Sequence, residues 1–369
     1  MLESRSGSEL YTAELAERLL ALGHSAVIYT PAPGPLAREL QERAIPVVSD
    51  LRMVTEPPDI IHGHHTHETL TALLAFPGVP AVQVHHGWVG EPPASFPRIL
   101  RHVAVDDTVR DRMVSEWGVP TSSVDVIRNF IDPARLPMRG PLPARPARGL
   151  VFSNRAAHHL DIVRAACRSS SIAVDAVGID VDRVSDDPGT LLPAYDIVFA
   201  KARCAMEAIA AGCAVILCDR SGVGPMVTSH NFDEMRRLNF GLRTLRAPLS
   251  VESLAAALGS YDPDDARAVT TRLRAEATID DVVARWLDTY ERVLAEWRDQ
   301  PRCVEDELRA TSLYLQRRTV EPTPGVAAGT LLKTAYFSLA RKPVIRRLLP
   351  SPRWAQRLYN RLKGPSHRH

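Results

Sequence analysis

The strongest constraint on this chain is a pattern of short apolar runs alternating with helical segments. The pattern occurs twice, on either side of a stretch rich in Pro, Gly and Arg. Runs of four to six residues such as DIIH (59–62), AVQVH (81–85), VDVI (124–127), DIVFA (196–200) and AVILCD (214–219) suit strands buried on both faces. Segments of helical period lie between them: Glu9 to Leu22, closed by Gly23, then Pro35 to Arg43, Thr66 to Ala75 and Asp107 to Trp117. Further strands are predicted at 25–30, 45–48, 102–105, 150–154 and 172–178, and further helices at 160–168, at 202–211 before Gly212, and across 251–297. Such alternation implies α/β units with parallel sheets.

The stretch 138–149 (MRGPLPARPARG) reads as a linker. The predicted architecture is α/β, with two Rossmann-like domains facing across a cleft and a basic helical C-terminal tail. The domains are residues 1-140 and 148-300, and the tail is 301-369. A doubly wound domain normally opens with a strand, yet the first predicted helix begins near residue 9 with none before it. The expectation is that the first N-terminal strand is missing, either from this reading frame or from the sheet.

Composition narrows the function. With 45 Lys and Arg against 43 Asp and Glu, the net charge is +2, which argues against a strongly basic nucleic-acid binder. The average conceals an asymmetry. Residues 301–369 hold fourteen basic side chains and four acids, and the body before them is correspondingly acidic. Five cysteines form no CxxC pair, and no secretory leader or apolar span of eighteen residues is present, so a cytoplasmic location is expected. Residues 322–369 carry ten Arg and Lys and no acid, with Trp354, Leu358 and Leu362 on one helical stripe beside Arg353, Arg357 and Arg361. That pattern suits an interfacial helix, so weak association with an anionic membrane surface at the inner face is expected, and nucleic acid is not.

In open parallel sheets, ligands bind beyond the carboxyl ends of the strands, where helix N-termini favour anions. Strand DIVFA runs into Lys201 and Arg203 at a helix start, which suits a diphosphate, and Glu207 lies one turn beyond Arg203. The competing reading is a plain i,i+4 Arg–Glu pair. Arg155, after strand 150–154, is a second candidate for the diphosphate. Histidine crowds the first half: His62, His64, His65, His67, His85 and His86 fall within 25 residues. They sit at strand ends rather than at HxxxH spacing, with Glu68 the close carboxylate, so no metal is expected. Neutral imidazoles there suit hydrogen bonding to a hydroxyl, or taking its proton.

Taken in order, Ser6-Gly7-Ser8-Glu9 with its helix, PDIIHGHH (58–65), VQVHHG (82–87), the run 103–132 and YDIVFAKARCAMEAIAAGCAVILCD (195–219) resemble the blocks of GT-B glycosyltransferases of the family-4-like kind. The resemblance spans roughly residues 5–298. It implies an acceptor-binding first half, a nucleotide-sugar donor in the second half, and hexose transfer from a UDP- or GDP-sugar to an acceptor hydroxyl in cell-surface glycan or glycolipid synthesis. The acceptor would be a glycan or a lipid-linked glycan. No cofactor is implied beyond the donor, which is a co-substrate. By the same resemblance, Gly7 would approach the donor phosphate, His86 the reacting sugar, Arg155 the diphosphate and Glu207 the ribose. Lys201 and Arg203 would assist at the diphosphate, Gly222 and Gly224 would flank the donor in a loop, and His64, His65 and His85 would hold the acceptor. Two departures stand out. The first acid of the E-x7-E pattern is Phe199, and His158-His159 replace the usual lysine after Arg155. They leave open the sugar, the stereochemical outcome, a non-catalytic binding or scaffold role and, more remotely, a sugar-nucleotide epimerase.

Overall fold

A computed structural model describes residues 2, 6–87, 95–185, 187–299 and 303–318. The chain divides into two compact units, Met1–Arg302 and Cys303–His369. The membrane-surface expectation for residues 322–369 lies outside the described residues.

The first half of the larger unit contains α1 (Gly7–Ala21), β1 (Ile28–Tyr29), α2 (Pro35–Glu42), β2 (Val47–Val48), β3 (Ile61–Gly63), α3 (Thr66–Ala75), β4 (Ala81–His85), β5 (Ile99–Ala104), α4 (Asp107–Ser115) and β6 (Val124–Val126). Strands β3-β4-β5-β6 form a parallel sheet, and β1-β2 a separate parallel pair. No described strand precedes α1. Leu2 instead makes a single parallel bridge to Pro33 and is buried with Ile28, Leu36 and Val47. The run SAVIYT yields only two strand residues because β1 pairs only with β2, itself two residues long. At the start of α1, the Glu9 carboxylate accepts the Ser6 N–H at 3.0 Å, as the S-x-x-E spacing leads one to expect.

The second half contains β7 (Arg148–Phe152), α5 (Leu160–Arg168), β8 (Ala173–Val177), α6 (Pro188–Leu191), β9 (Ile197–Ala200), α7 (Ala202–Ala210), β10 (Ala214–Asp219), β11 (Gly222–Met226), α8 (Phe232–Arg237), α9 (Val251–Leu258), α10 (Pro263–Glu276) and α11 (Ile279–Asp299). Its sheet runs β11-β10-β9-β7-β8, parallel except for β11. The segment expected as a loop, GVGPMV, is therefore mostly strand. Asp219 pairs with Gly222 across a tight hairpin, and Gly222 at φ 154° takes a backbone geometry that side chains avoid. The two-sheet α/β architecture is otherwise the one expected.

The last helix of the 148–300 stretch packs on the first half. Val282, Val283, Trp286, Tyr290, Val293 and Trp297 of α11 are buried with Tyr11, Val82, Val103 and Met113 of the first half. Each such burial contributes about 1.5–3 kcal/mol, so α11 belongs energetically to the first sheet. The chain thus crosses between halves twice, and the crossings touch. Ile131 N–H donates to Ala277 O at 2.8 Å, and Ile279 N–H to Ile131 O at 3.0 Å.

The described part of the second unit is one helix, α12 (Val304–Arg318). It exposes Val304, Leu308, Leu313 and Leu315. No described helix is long and apolar enough to cross a membrane.

Candidate functional site

The candidate residues of the second half collect at the carboxyl ends of its strands. Arg155 follows β7 and is exposed, with no ion pair among the described residues. Lys201 follows β9 directly, caps α7, and pairs with Asp219 at the end of β10. Burial alone would raise the Asp219 carboxyl, but Lys201 and the Ser221 N–H, 2.6 Å away, hold it below the ordinary carboxylate range. Ala202 enters α7 at φ 50°, a left-handed geometry that costs a side-chain-bearing residue about 1–2 kcal/mol. Its N–H donates to Phe240 O at 2.8 Å, and Asn239 and Phe240 are left-handed as well. The surroundings of the α7 entrance therefore fix it in place.

Arg203 is held within the protein. Its guanidinium is mostly enclosed, the side chain being 15% exposed, with Nη2 donating to Glu14 Oε1 at 2.5 Å and Nε to Glu207 Oε1 at 2.7 Å. Burial alone would lower its pKa, but the two carboxylates more than offset this and raise it. Its charge is thus already matched within the protein. The i,i+4 pair weighed against a ligand role is present, with a third member from α1. Glu207 is correspondingly engaged rather than open. Burial pushes its carboxyl up, Arg203 opposes that, and Glu14 adds to it. Glu14 Oε2 is buried without a partner among the described residues. Gly7, at the start of α1, stands beside this group, and among the described residues a Cβ built there meets only Arg203 Cδ at 4.0 Å. Packing among the described residues therefore does not require a glycine at position 7.

Gly222 and Gly224 lie in β11. A Cβ on Gly222 would stand 2.6 Å from Ala247 O, and one on Gly224 2.7 Å from Thr244 O and 2.9 Å from Leu217 Cβ. Close backbone approach accounts for both without a ligand. Phe199, at the place of the missing first acid, is a fully buried core residue of β9. A carboxylate there would face apolar neighbours.

In the first half, His64 and His86 follow the adjacent strands β3 and β4. His64 Nδ1 lies 2.7 Å from His86 Nε2, with the rings stacked at 17°. The Tyr11 ring stands edge-on to both, 5.1 Å from His86 and 5.9 Å from His64. Beneath them, His62 Nδ1 meets Tyr290 Oη at 2.5 Å, and Trp286 donates to Tyr11 Oη at 2.6 Å. Burial holds His62 and His86 down at about 3 and His64 well below the usual range, so all three imidazoles are neutral. His65 is exposed at the N-cap of α3, where its carbonyl accepts the Thr69 N–H. His85 falls outside the His64–His86 pair. Its Nε2 meets His102 Nδ1 at 3.2 Å, and its ring approaches Trp117. Among the described residues, no group of three or more His, Cys, Asp or Glu side chains is arranged to hold a metal ion.

Glu14, Asp219 and Tyr11 had not been singled out from the sequence, and His159 had been noted only as a replacement for a lysine. His159 is 1% exposed, and among the described residues neither ring nitrogen has a hydrogen-bond partner of ordinary geometry. Burial lowers its pKa against the pull of Asp219 and Asp180. Asp219, as the last residue of an apolar strand, carried a readable signal. Glu14 carried none beyond its place on the first helix.

The fold is that of GT-B glycosyltransferases, and residues 5–135 match the family model for Glycosyltransferase Family 4. The chain is similar in structure to a glycosyltransferase from Rickettsia africae ESF-5, at TM-score 0.58 and 16% identity, covering 80% of this chain and 96% of that one. It is also similar to sucrose-phosphate synthase from Thermosynechococcus elongatus, at TM-score 0.51 and 12% identity, covering 80% and 95%. No curated protein sequence matches the chain.

Proposed function

We propose that this protein transfers a hexose from a UDP- or GDP-sugar to an acceptor hydroxyl of a glycan or lipid-linked glycan, in cell-surface glycan or glycolipid synthesis. One observation carries the reading: Arg203, in the first turn of α7, reaches Glu14 on α1 beside Gly7. The Arg203 side chain thus joins the first turn of α7 to the first two turns of α1, one helix from each half. Helix N-termini carry unpaired N–H groups and a positive dipole. With Arg155 and Lys201 at neighbouring strand ends, they suit the diphosphate of a nucleotide sugar. As the bond from the sugar to the diphosphate breaks and the bond to the acceptor oxygen forms, negative charge gathers on the leaving diphosphate. Arg155, Lys201 and the two helix ends stabilise it there. His86 faces the acceptor as a neutral imidazole able to take the hydroxyl proton if the reaction inverts.

Titration calorimetry with UDP and GDP, followed by transfer assays over a panel of donors, tests the reading. Arg155→Ala and Lys201→Ala each remove a charge-assisted contact worth about 1.5–3 kcal/mol, so each should weaken nucleotide binding roughly 10- to 100-fold. Failure to bind either nucleotide defeats the proposal. The engaged state of Arg203 and Glu207 and the buried Phe199 favour a second reading, a non-catalytic binding protein. Tight nucleotide binding with no turnover of any donor supports it. Release of free nucleotide with an epimerised sugar, in the absence of acceptor, identifies an epimerase instead.

A further inference from the structure

We propose that His64 is the positioning residue for His86: His64 Nδ1 accepts the His86 Nε2–H, which leaves His86 Nδ1 bare as the atom that faces the acceptor hydroxyl. The inference rests on the transferase reading for what His86 does, but not for how its ring is held.

The contact itself is the starting point. At 2.7 Å, two neutral imidazole nitrogens share one proton, so one donates and the other accepts. His86 Nε2 is thereby occupied, and Nδ1 is the ring nitrogen left to a ligand. His64 is well placed to hold the His86 ring because it cannot turn freely. The His62 ring lies 4.7 Å from it on one side, and the Tyr11 ring stands edge-on to it. His62 is pinned in turn by Tyr290 Oη and by the Trp286 ring at 4.4 Å. Tyr11 is pinned by the Trp286 indole N–H. The clamp draws on α1, β3 and α11, elements far apart in the chain, and they converge on one ring. If the reaction inverts, His86 Nδ1 takes the hydroxyl proton and the ring becomes an imidazolium that still donates from Nε2 to His64 Nδ1. The electron pair left on the hydroxyl oxygen forms the new bond to the sugar, and the pair of the broken bond leaves with the diphosphate.

The test uses the full chain labelled with 15N-histidine, the His86 signals being assigned by their loss in His86→Gln. Long-range 1H–15N spectra near neutral pH should show the His86 ring as the Nε2–H tautomer in the wild type. His64→Phe keeps a ring in the clamp but removes the acceptor nitrogen. It should leave the melting temperature close to wild type while the His86 ring loses its single tautomer. His64→Asn restores an acceptor oxygen near the Nδ1 position and should restore the tautomer. With a donor and acceptor identified, kcat should fall about tenfold or more in His64→Phe, with KM little changed, and recover in His64→Asn. An Nδ1–H tautomer for His86 in the wild type overturns the proposal, as does a tautomer unaltered in His64→Phe. The spectra need no turnover, so an inactive protein with the stated tautomer refutes the transferase reading and leaves the positioning role standing.

Discussion

Arg203→Ala tests the central packing argument most directly. The substitution removes the cation standing between Glu14 and Glu207, whose side chains are each only 8% exposed. Both carboxylates lie within 2.7 Å of the guanidinium, so they are left facing one another with little water. Removing one partner of a buried ion pair costs about 3–5 kcal/mol, and stranding two like charges places this variant toward the upper end. The cost should depend on pH. Burial already raises the Glu207 pKa, and Arg203 restrains it, so the variant raises it further. An acid with a raised folded-state pKa binds protons more readily when folded, and stability then falls as pH rises through that range. The deficit should therefore be greatest near pH 7 and shrink as the solution is acidified toward pH 5. Urea denaturation followed by tryptophan fluorescence measures it, with Trp286 buried under the first sheet as a reporter. The triple variant Glu14→Gln, Arg203→Met, Glu207→Gln should lie within about 1–2 kcal/mol of wild type, because neutral side chains of similar volume need no counter-charge. An Arg203→Ala deficit below about 1 kcal/mol, flat with pH, would refute the view that these three groups are a buried, mutually dependent set.

Two further outcomes are expected. His62, His85 and His86 are each held down at about 3 by burial, against an ordinary value of 6.5. The folded state refuses protons that the unfolded chain accepts, so stability should be complete above about pH 6.5 and decline as pH falls toward 3. Within that window each group contributes about 1.4 kcal/mol per pH unit, and denaturation midpoints that stay level from pH 6 to 4.5 contradict this. The glycines should separate by role. In Gly178→Ala the new Cβ would stand 1.8 Å from Ser153 O, costing about 1–3 kcal/mol in a thermal melt. Gly7→Ala meets nothing closer than 4.0 Å and should melt normally while binding nucleotide less well; unchanged affinity removes Gly7 from the site.

Much of the fold was legible locally. Strands β4 and β10 span the apolar runs 81–85 and 214–219 residue for residue, because each is buried along nearly its whole length between flanking layers. Local pattern failed where a partner decides. GVGPM, with two glycines and a proline, lacks strand propensity and becomes β11 only because a hairpin places it against β10. The period of α11 announces a buried face but not which sheet covers it. At the candidate site, strand-end positions pointed to Arg155, Lys201 and His86. They could not show that Arg203 is bonded to a residue 189 positions away, or that His86 leans on one 22 positions earlier. The first contact follows from how the two halves dock and the second from the pairing of β3 with β4, neither of which a local periodicity encodes.

The paired crossings at Ile131 and Thr278 have a mechanical consequence. A rotation of one half against the other about that strip would strain contacts beside it least and distant ones most. Arg236 donates to Asn129 O at 2.7 Å, close to the axis. Arg243 and Asp111, which bridge the halves in the open at 2.6 Å, exchange for water at a cost of about 0–1 kcal/mol. Glu14 is buried and Arg203 mostly so, which makes their separation the costly one. A molecule that enters between α1 and α7 and breaks that pair has a measured affinity equal to the difference between what it forms there and what it displaces.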